Sequence, residues 1–287
     1  MFDPRRHAVR PDLADSRLAD LLPEDHPVVD GALEQVIAPV VPLFAQPDAR
    51  YERATEALLG ERVMVFEDKD GFSWCQMQSD GYVGYIPTAA LTPEVVEPTH
   101  RVAALRTFVY GDPDMKSPVS AAVFMGAEVA VAGEDPDTGM VQIGEGEWVF
   151  AAHLSAVDAV ASDPVAVAET FLHTPYLWGG RSSLGLDCSA LTQRAFAACG
   201  RVLPRDSDLQ ETEPCDWLSD DLGQDWKAAR RGDLVFWEGH VALMASDTHL
   251  VHASAHTMTV CHEDLATAVA RIEAAGSGLP TLVRRPI

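Results

Sequence analysis

The spacing of apolar positions changes character along the chain. From residue 36 short alternating runs predict strands at 36–41, 62–67, 74–78 and 82–86. Between them lie Gln46-Pro47-Asp48, Asp68-Lys69-Asp70-Gly71 and Ser79-Asp80-Gly81, all turn chemistry. A weaker copy of the texture follows at 101–105, 108–110, 127–132, 140–143 and 148–151, so two small β-barrels in tandem are expected. After a short linker, 158–164, the period lengthens. Residues 165–173 predict a helix, and Leu191, Ala195 and Ala198 predict a second that Gly200 stops. A third starts within 203–210, with Asp206 or Ser207 as its N-cap, and cannot pass Pro214. The period then falls to two. Residues 233–237, 240–245 and 249–254 read as an antiparallel meander, to which 281–284 adds a final strand. Helices before sheet make this last part an α+β unit.

The expected organisation is an extension at 1–34, small β domains at 35–97 and 98–157, and a catalytic α+β domain at 158–287. The extension is rich in Asp, Arg and Pro and has one helix-like run around Leu18, Leu21 and Leu22, so it is expected to pack on or drape over another part. A formal charge of −23 with no basic face argues against nucleic acid as a partner. The first residues contain no apolar run of signal-peptide type, and no later stretch is long enough to span a membrane. The five cysteines, 75, 188, 199, 215 and 261, are odd in number, scattered, and form no CxxC pair. Neither a disulfide framework nor a structural zinc site is indicated, and the expectation is a cytoplasmic protein without metal or cofactor. Nothing in the chain sets an oligomeric state.

Candidate chemistry centres on the polar, glycine-rich loop that runs from Tyr176 into Asp187-Cys188-Ser189. It places Cys188 in the first turn of a helix, where the dipole and unpaired N–H groups favour a thiolate. A small buried hydrophobe is the alternative reading of the same cysteine. In the meander His240 and His252 share parity, and a turn near Ser246 brings them opposite each other to within a residue or two. If the helix sets Cys188 against that face, His240 can take the thiol proton and His252 can orient His240. The backbone N–H of Cys188 would serve as an oxyanion donor. His256, of equal parity, is the alternative third member, and a Cys188–His240–His252 zinc site is the competing chemistry, though no HExxH or CxxC spacing accompanies it.

These residues resemble a known family. Tyr176-x-Trp178-Gly179-Gly180-x-Ser182, Asp187-Cys188-Ser189, Gly232-Asp233-Leu234-Val235-Phe236, His240-Val241 and His252-Ala253-Ser254 look like the NlpC/p60 cysteine peptidases in identity, order and spacing. Gly71 to Met77, Asp80 to Pro87 and Leu91 resemble a bacterial SH3-like domain. The combination is similar to γ-D-glutamyl-L-diamino acid endopeptidases, whose first SH3-like domain caps the cleft and reads a free N-terminal L-Ala. The resemblance implies a papain-like catalytic domain with Cys188 as nucleophile, His240 as base and His252 as orienting residue. It implies a pocket for L-Ala-γ-D-Glu lined by Tyr176, Trp178, Asp187, Ser189 and Ser207, with Asp187 facing the ammonium and the two serines the D-Glu carboxylate. Tyr82 would cap it, and Glu56 or Glu61 would be a second ammonium partner. One departure is visible: Ala190 stands where the family usually has Gly. The implied substrate is a soluble murein peptide undergoing recycling. An endopeptidase or amidase acting on intact wall, and an inactive wall-peptide binding protein, are the competing functions.

Overall fold

The strand-like texture of the N-terminal half is realised as antiparallel sheet whose two faces serve different layers. The computed structural model describes residues 2–287, and these divide into a first unit ending at Ala159 and a second, Val160–Ile287. In the first unit seven strands pair in the order Arg53–Leu58, Val40–Phe44, Val83–Pro87, Phe72–Met77, Arg62–Lys69, Ala32–Val36 and Leu91–Thr92. Val63, Val65, Cys75 and Met77 point into one apolar cluster with Val36, Leu43 and Ile86. Their neighbours Phe66 and Trp74 face the other way, where Ala8 and Leu13 of the N-terminal extension cover them. The extension is thus a layer on the first sheet, fixed also by Arg10, which stacks 4.4 Å over Trp74 and pairs with Glu67 at 2.7 Å. The strand expected at 36–41 is two strands, because Pro39 has no N–H for the ladder and the chain breaks there.

Residues 100–156 form two further sheets, of three and five strands. Leu58 and Val40 of the first sheet join Val102, Val109, Val123 and Val149 in one cluster, so the two β parts share apolar packing.

In the second unit α1 (Pro164–Glu169) is capped by Asp163, whose Oδ1 accepts from Val165 N at 2.9 Å. It stops short of the expected 173; the chain turns, and His173 takes a φ of 70°. Next come α2 (Cys188–Ala198) and α3 (Ser207–Thr212), with Asp206 in the N-cap position of α3. The sheet has six strands: β1 (Leu218–Ser219), β2 (Leu234–Trp237), β3 (His240–Met244), β4 (His249–Ser254), β5 (Thr259–Asp264) and β6 (Leu282–Pro286), in the order β1-β6-β2-β3-β4-β5. The meander therefore has a further member, β5. The final strand expected at 281–284 is β6, which lies between β1 and β2, antiparallel to both. Between β5 and β6 lies α4 (Leu265–Ile272), whose Leu265, Ala268, Val269 and Ile272 pack on Val235, Trp237, Ala242, Met244 and Leu250. Among the described residues no helix is long and apolar enough to cross a membrane.

Gly60 turns the chain with a φ of 83°, and a Cβ there would lie 2.0 Å from the carbonyl oxygen of Glu128. Gly60→Ala is expected to destabilise the first unit by about 3 kcal/mol, from left-handed strain plus a backbone clash. Urea unfolding followed by tryptophan fluorescence reads it directly.

Candidate active site

The loop ahead of α2 is held by backbone pairing and one buried ion pair. Arg181–Ser182 and Gly185–Leu186 form a two-residue antiparallel ladder, and Leu177 N donates to Leu186 O at 3.1 Å. A Cβ on Gly180 would stand 2.3 Å from the Gly185 carbonyl oxygen, so this crossing admits only glycine. Asp187 caps α2: its Oδ1 accepts from Ala190 N at 2.9 Å and from Ser189 Oγ at 3.2 Å. Its Oδ2 accepts from Gly179 N at 2.9 Å. Arg205, only 1% exposed, then donates to both oxygens, at 2.9 and 2.7 Å, and to Ser189 Oγ at 3.0 Å. Loop, helix start and the segment before α3 are locked together by one carboxylate and one guanidinium.

This lock presents Cys188 as the first residue of α2, which packs against β3 and β4. The N–H groups of Val241 and Ser189 point at its sulfur, which sets the thiol beside the start of β3, where His240 stands. His240 Nε2 lies 2.9 Å from His252 Nδ1, with the rings edge to face at 5.2 Å. The β3–β4 register pairs Leu243 with Val251; extended, it sets His252 opposite Ala242, two residues from His240. Trp237 packs on the outer side of His240 at 5.7 Å.

Burial decides the resting charge. It pushes the Cys188 thiol up to about 12, reinforced by the Asp187 charge, and the Val241 N–H, Arg205 and the Ser189 N–H only partly offset it. The helix terminus expected to favour a thiolate is present, but desolvation outweighs it. His240 is driven down to about 3, first by burial and then by His252 and Arg271. Both shifts favour a neutral thiol beside a neutral imidazole. His240 Nε2 is engaged by His252, so Nδ1 is the ring nitrogen left for a proton from sulfur.

The other expected residues are placed as follows. Tyr176 is half-buried on the loop, its hydroxyl pushed up by burial and then by Cys188 and Asp187. Trp178 is 59% exposed, and Ser207 is the half-buried first residue of α3. Asp187 and Ser189 are interior, and Asp187 is already balanced by Arg205, so a substrate ammonium would meet a paired carboxylate. His256 is exposed on the β4–β5 turn, and His252 is the imidazole that meets His240. In the first unit Tyr82 is buried in the sheet's cluster, Glu56 pairs with Arg53 at 2.6 Å, and Glu61 Oε2 accepts from Leu58 N at 2.7 Å. Ala190 is fully buried under the cap without disturbing the helix.

Four side chains that surround the expected site residues escaped the sequence reading: Arg205, Cys261, Glu263 and Arg271. Arg205 could have been suspected as a cation inside an otherwise helix-starting Pro-Arg-Asp-Ser segment. Cys261 and Glu263 sit on β5, whose polar residues mask its alternation, and Arg271 on α4, whose apolar spacing at Leu265, Ala268, Val269 and Ile272 is itself a helix signal. Glu263 Oε2 lies 3.2 Å from His252 Nε2, off the line of a well-formed hydrogen bond, and Arg271 grips both Glu263 oxygens at 2.9 and 2.7 Å.

Comparison with known proteins bears on family and fold. A model described as NlpC/P60 family matches residues 173–272, and one described as bacterial dipeptidyl-peptidase Sh3 domain matches 43–91. A protein named dipeptidyl-peptidase 6, from Lysinibacillus sphaericus, is 30% identical over 242 residues, 76% of this chain and 86% of that one. One named gamma-D-glutamyl-L-lysine dipeptidyl-peptidase, from Bacillus cereus, is 27% identical over 69% of this chain and 66% of its own length. The crystal structure of an NlpC/P60 family protein from Bacillus cereus superposes with a TM-score of 0.71 at 20% identity, covering 88% of this chain and 99% of that one.

Arg205→Met would leave the Asp187 carboxylate buried without its cation. The expected loss is about 3–5 kcal/mol of stability. In a thermal melt this reads as a Tm lower by roughly 10 °C.

Proposed function

The chain belongs to the NlpC/P60 peptidase family, and from that premise we propose that it hydrolyses the bond between γ-D-Glu and the diamino acid in murein peptides with a free N-terminal L-Ala. The observation that carries the reading is the 2.9 Å contact between His240 Nε2 and His252 Nδ1, set beside a thiol that receives the N–H of Val241. His240 Nδ1 takes the proton of Cys188 as the sulfur attacks the amide carbon. Negative charge develops on the carbonyl oxygen near the helix start, where the Cys188 N–H, an unpaired first-turn donor, can meet it. His240 passes its proton to the leaving amine, and a thioester of L-Ala-γ-D-Glu remains. Water, deprotonated by the same imidazole, releases the dipeptide.

Neutral ground-state partners suit this sequence, because the proton moves only as the carbon–sulfur bond forms and no charge has to be stored in the buried site. The bond choice is supported by the relatives' names and by the resemblance in five sequence blocks. The proposal extends to soluble fragments awaiting recycling in the cytoplasm, a compartment in which the five cysteines would stay reduced.

Mass spectrometry of L-Ala-γ-D-Glu-diaminopimelate digests tests the reading. Release of L-Ala-γ-D-Glu is expected, with Cys188→Ala losing at least about 10³-fold in kcat, as for removal of a catalytic nucleophile. Hydrolysis that survives that substitution would sink the cysteine mechanism. Acetylating the L-Ala amine is expected to lower kcat/KM at least about tenfold, since the proposed substrate is bound through its free ammonium. Release from intact, amidase-untreated sacculi would instead favour an enzyme of the assembled wall.

A further inference from the structure

Behind His252 lies a group of side chains to which the proposed reaction gives no part. His252 is 1% exposed, and its Nε2 faces β5, away from His240. Its cross-strand partner is Cys261, and Glu263, two residues on, lies on the same face with Oε2 at 3.2 Å. Glu263 in turn is held at both oxygens by Arg271 of α4. The charged and titratable groups around His252 are therefore His240 from β3, Cys261 and Glu263 from β5, and Arg271 from α4.

We infer that Glu263, clamped by Arg271, is a positioning residue that keeps the His252 proton on Nε2 and so leaves Nδ1 as an acceptor for His240. The inference rests on the proposed roles of Cys188 and His240, and the argument is one of proton counting. To accept a proton from sulfur, His240 needs a lone pair on Nδ1, so its own N–H must be on Nε2. That N–H points at His252 Nδ1, which must then be unprotonated. The single His252 proton is left on Nε2, where a carboxylate oxygen and the Cys261 sulfur wait.

If His252 gains a second proton the relay reverses. Its Nδ1–H would point at His240 Nε2, and His240 would carry its proton on Nδ1, unable to serve as base. A bare carboxylate would encourage that inactive state. Burial opposes the charged form of His252, yet Cys261 and Glu263 still pull its pKa upward. Arg271 tempers this by sharing the Glu263 charge, and with His252 it holds Glu263 near 2, ionised throughout the working range. Glu263 selects the tautomer, and Arg271 keeps it from selecting the imidazolium.

The two substitutions should therefore move the acid limb of the kcat/KM profile in opposite directions. Activity is lost as pH falls through the His252 pKa. Glu263→Gln removes one of the two groups that raise that pKa, Cys261 being the other, so its limb shifts to lower pH, while kcat falls about 10- to 100-fold, as for other groups that orient an imidazole, and KM stays within about twofold. Arg271→Gln leaves the carboxylate uncompensated, so its limb shifts to higher pH. In the full-length protein with ¹⁵N-labelled histidine, NMR should report His252 as the Nε2–H tautomer in the parent and a mixture in Glu263→Gln. Acid limbs that coincide with the parent's, or an unchanged tautomer in Glu263→Gln, would overturn the inference. Should the parent fail to cleave the peptide, the proposed function falls, and the tautomer in parent and variant still decides this inference by itself. If Glu263→Gln does not fold, Arg271→Gln decides it through the tautomer and the pH dependence of Cys188 alkylation by iodoacetamide, mapped by mass spectrometry.

Discussion

The ion pair between Asp187 and Arg205 is the constraint on which the catalytic unit depends. A carboxylate at a helix start would satisfy an N-cap requirement alone; here the same group also holds the glycine-rich loop through Gly179 and is neutralised from the segment before α3. Neither charge could be buried without the other. Because both are present, Cys188 can be offered from a helix whose first nine residues are all buried. Precision at the sulfur comes from this interior support rather than from the exposed rim, where Trp178 stands largely in solvent.

The site also shows how burial and helix polarity compete. A helix N-terminus lowers a thiol's pKa by a modest amount, whereas full desolvation acts several times more strongly in the opposite sense. With Cys188 raised and His240 lowered, the pair rests uncharged, and reactivity resides in the arrangement of donors rather than in a standing thiolate. A buried neutral thiol of this kind is protected from casual oxidation while remaining one proton transfer from nucleophilicity.

Much of this was legible in the amino-acid order. The period-two runs gave β2, β3 and β4 within a residue or so, and strand parity alone placed His240 and His252 on one face. The α2 boundaries followed from Asp187 and Gly200. What stayed hidden had physical reasons. Thr192, Gln193 and Arg194 look like a solvent face but are buried: Thr192 bonds Gln210, and Gln193 bonds the Leu203 carbonyl, so polarity there signals internal pairing. Strand β5 has a single fully buried residue, Val260, and leaves almost no periodic trace. Partners such as Arg205, on the segment after α2, and Glu263, on the strand after His252, meet their residues only once the chain has folded, and periodicity carries no record of such meetings. The Asp187 carboxylate, expected to face a ligand, was claimed by a cation that no spacing rule announces.

The place of β6 has a bearing on what braces the nucleophile. Its residues 282–286 lie between β1 and β2, and Arg284 reaches from it to the Gln210 and Glu213 carbonyls at the end of α3 and to Asp220. Strand β6 thus joins α3 and the Asp220 segment to the sheet that carries both histidines. Because Arg205 lies just ahead of α3, the segment that neutralises Asp187 is moored at the helix's far end by a strand of the histidine sheet, so nucleophile and base are tied together from two directions.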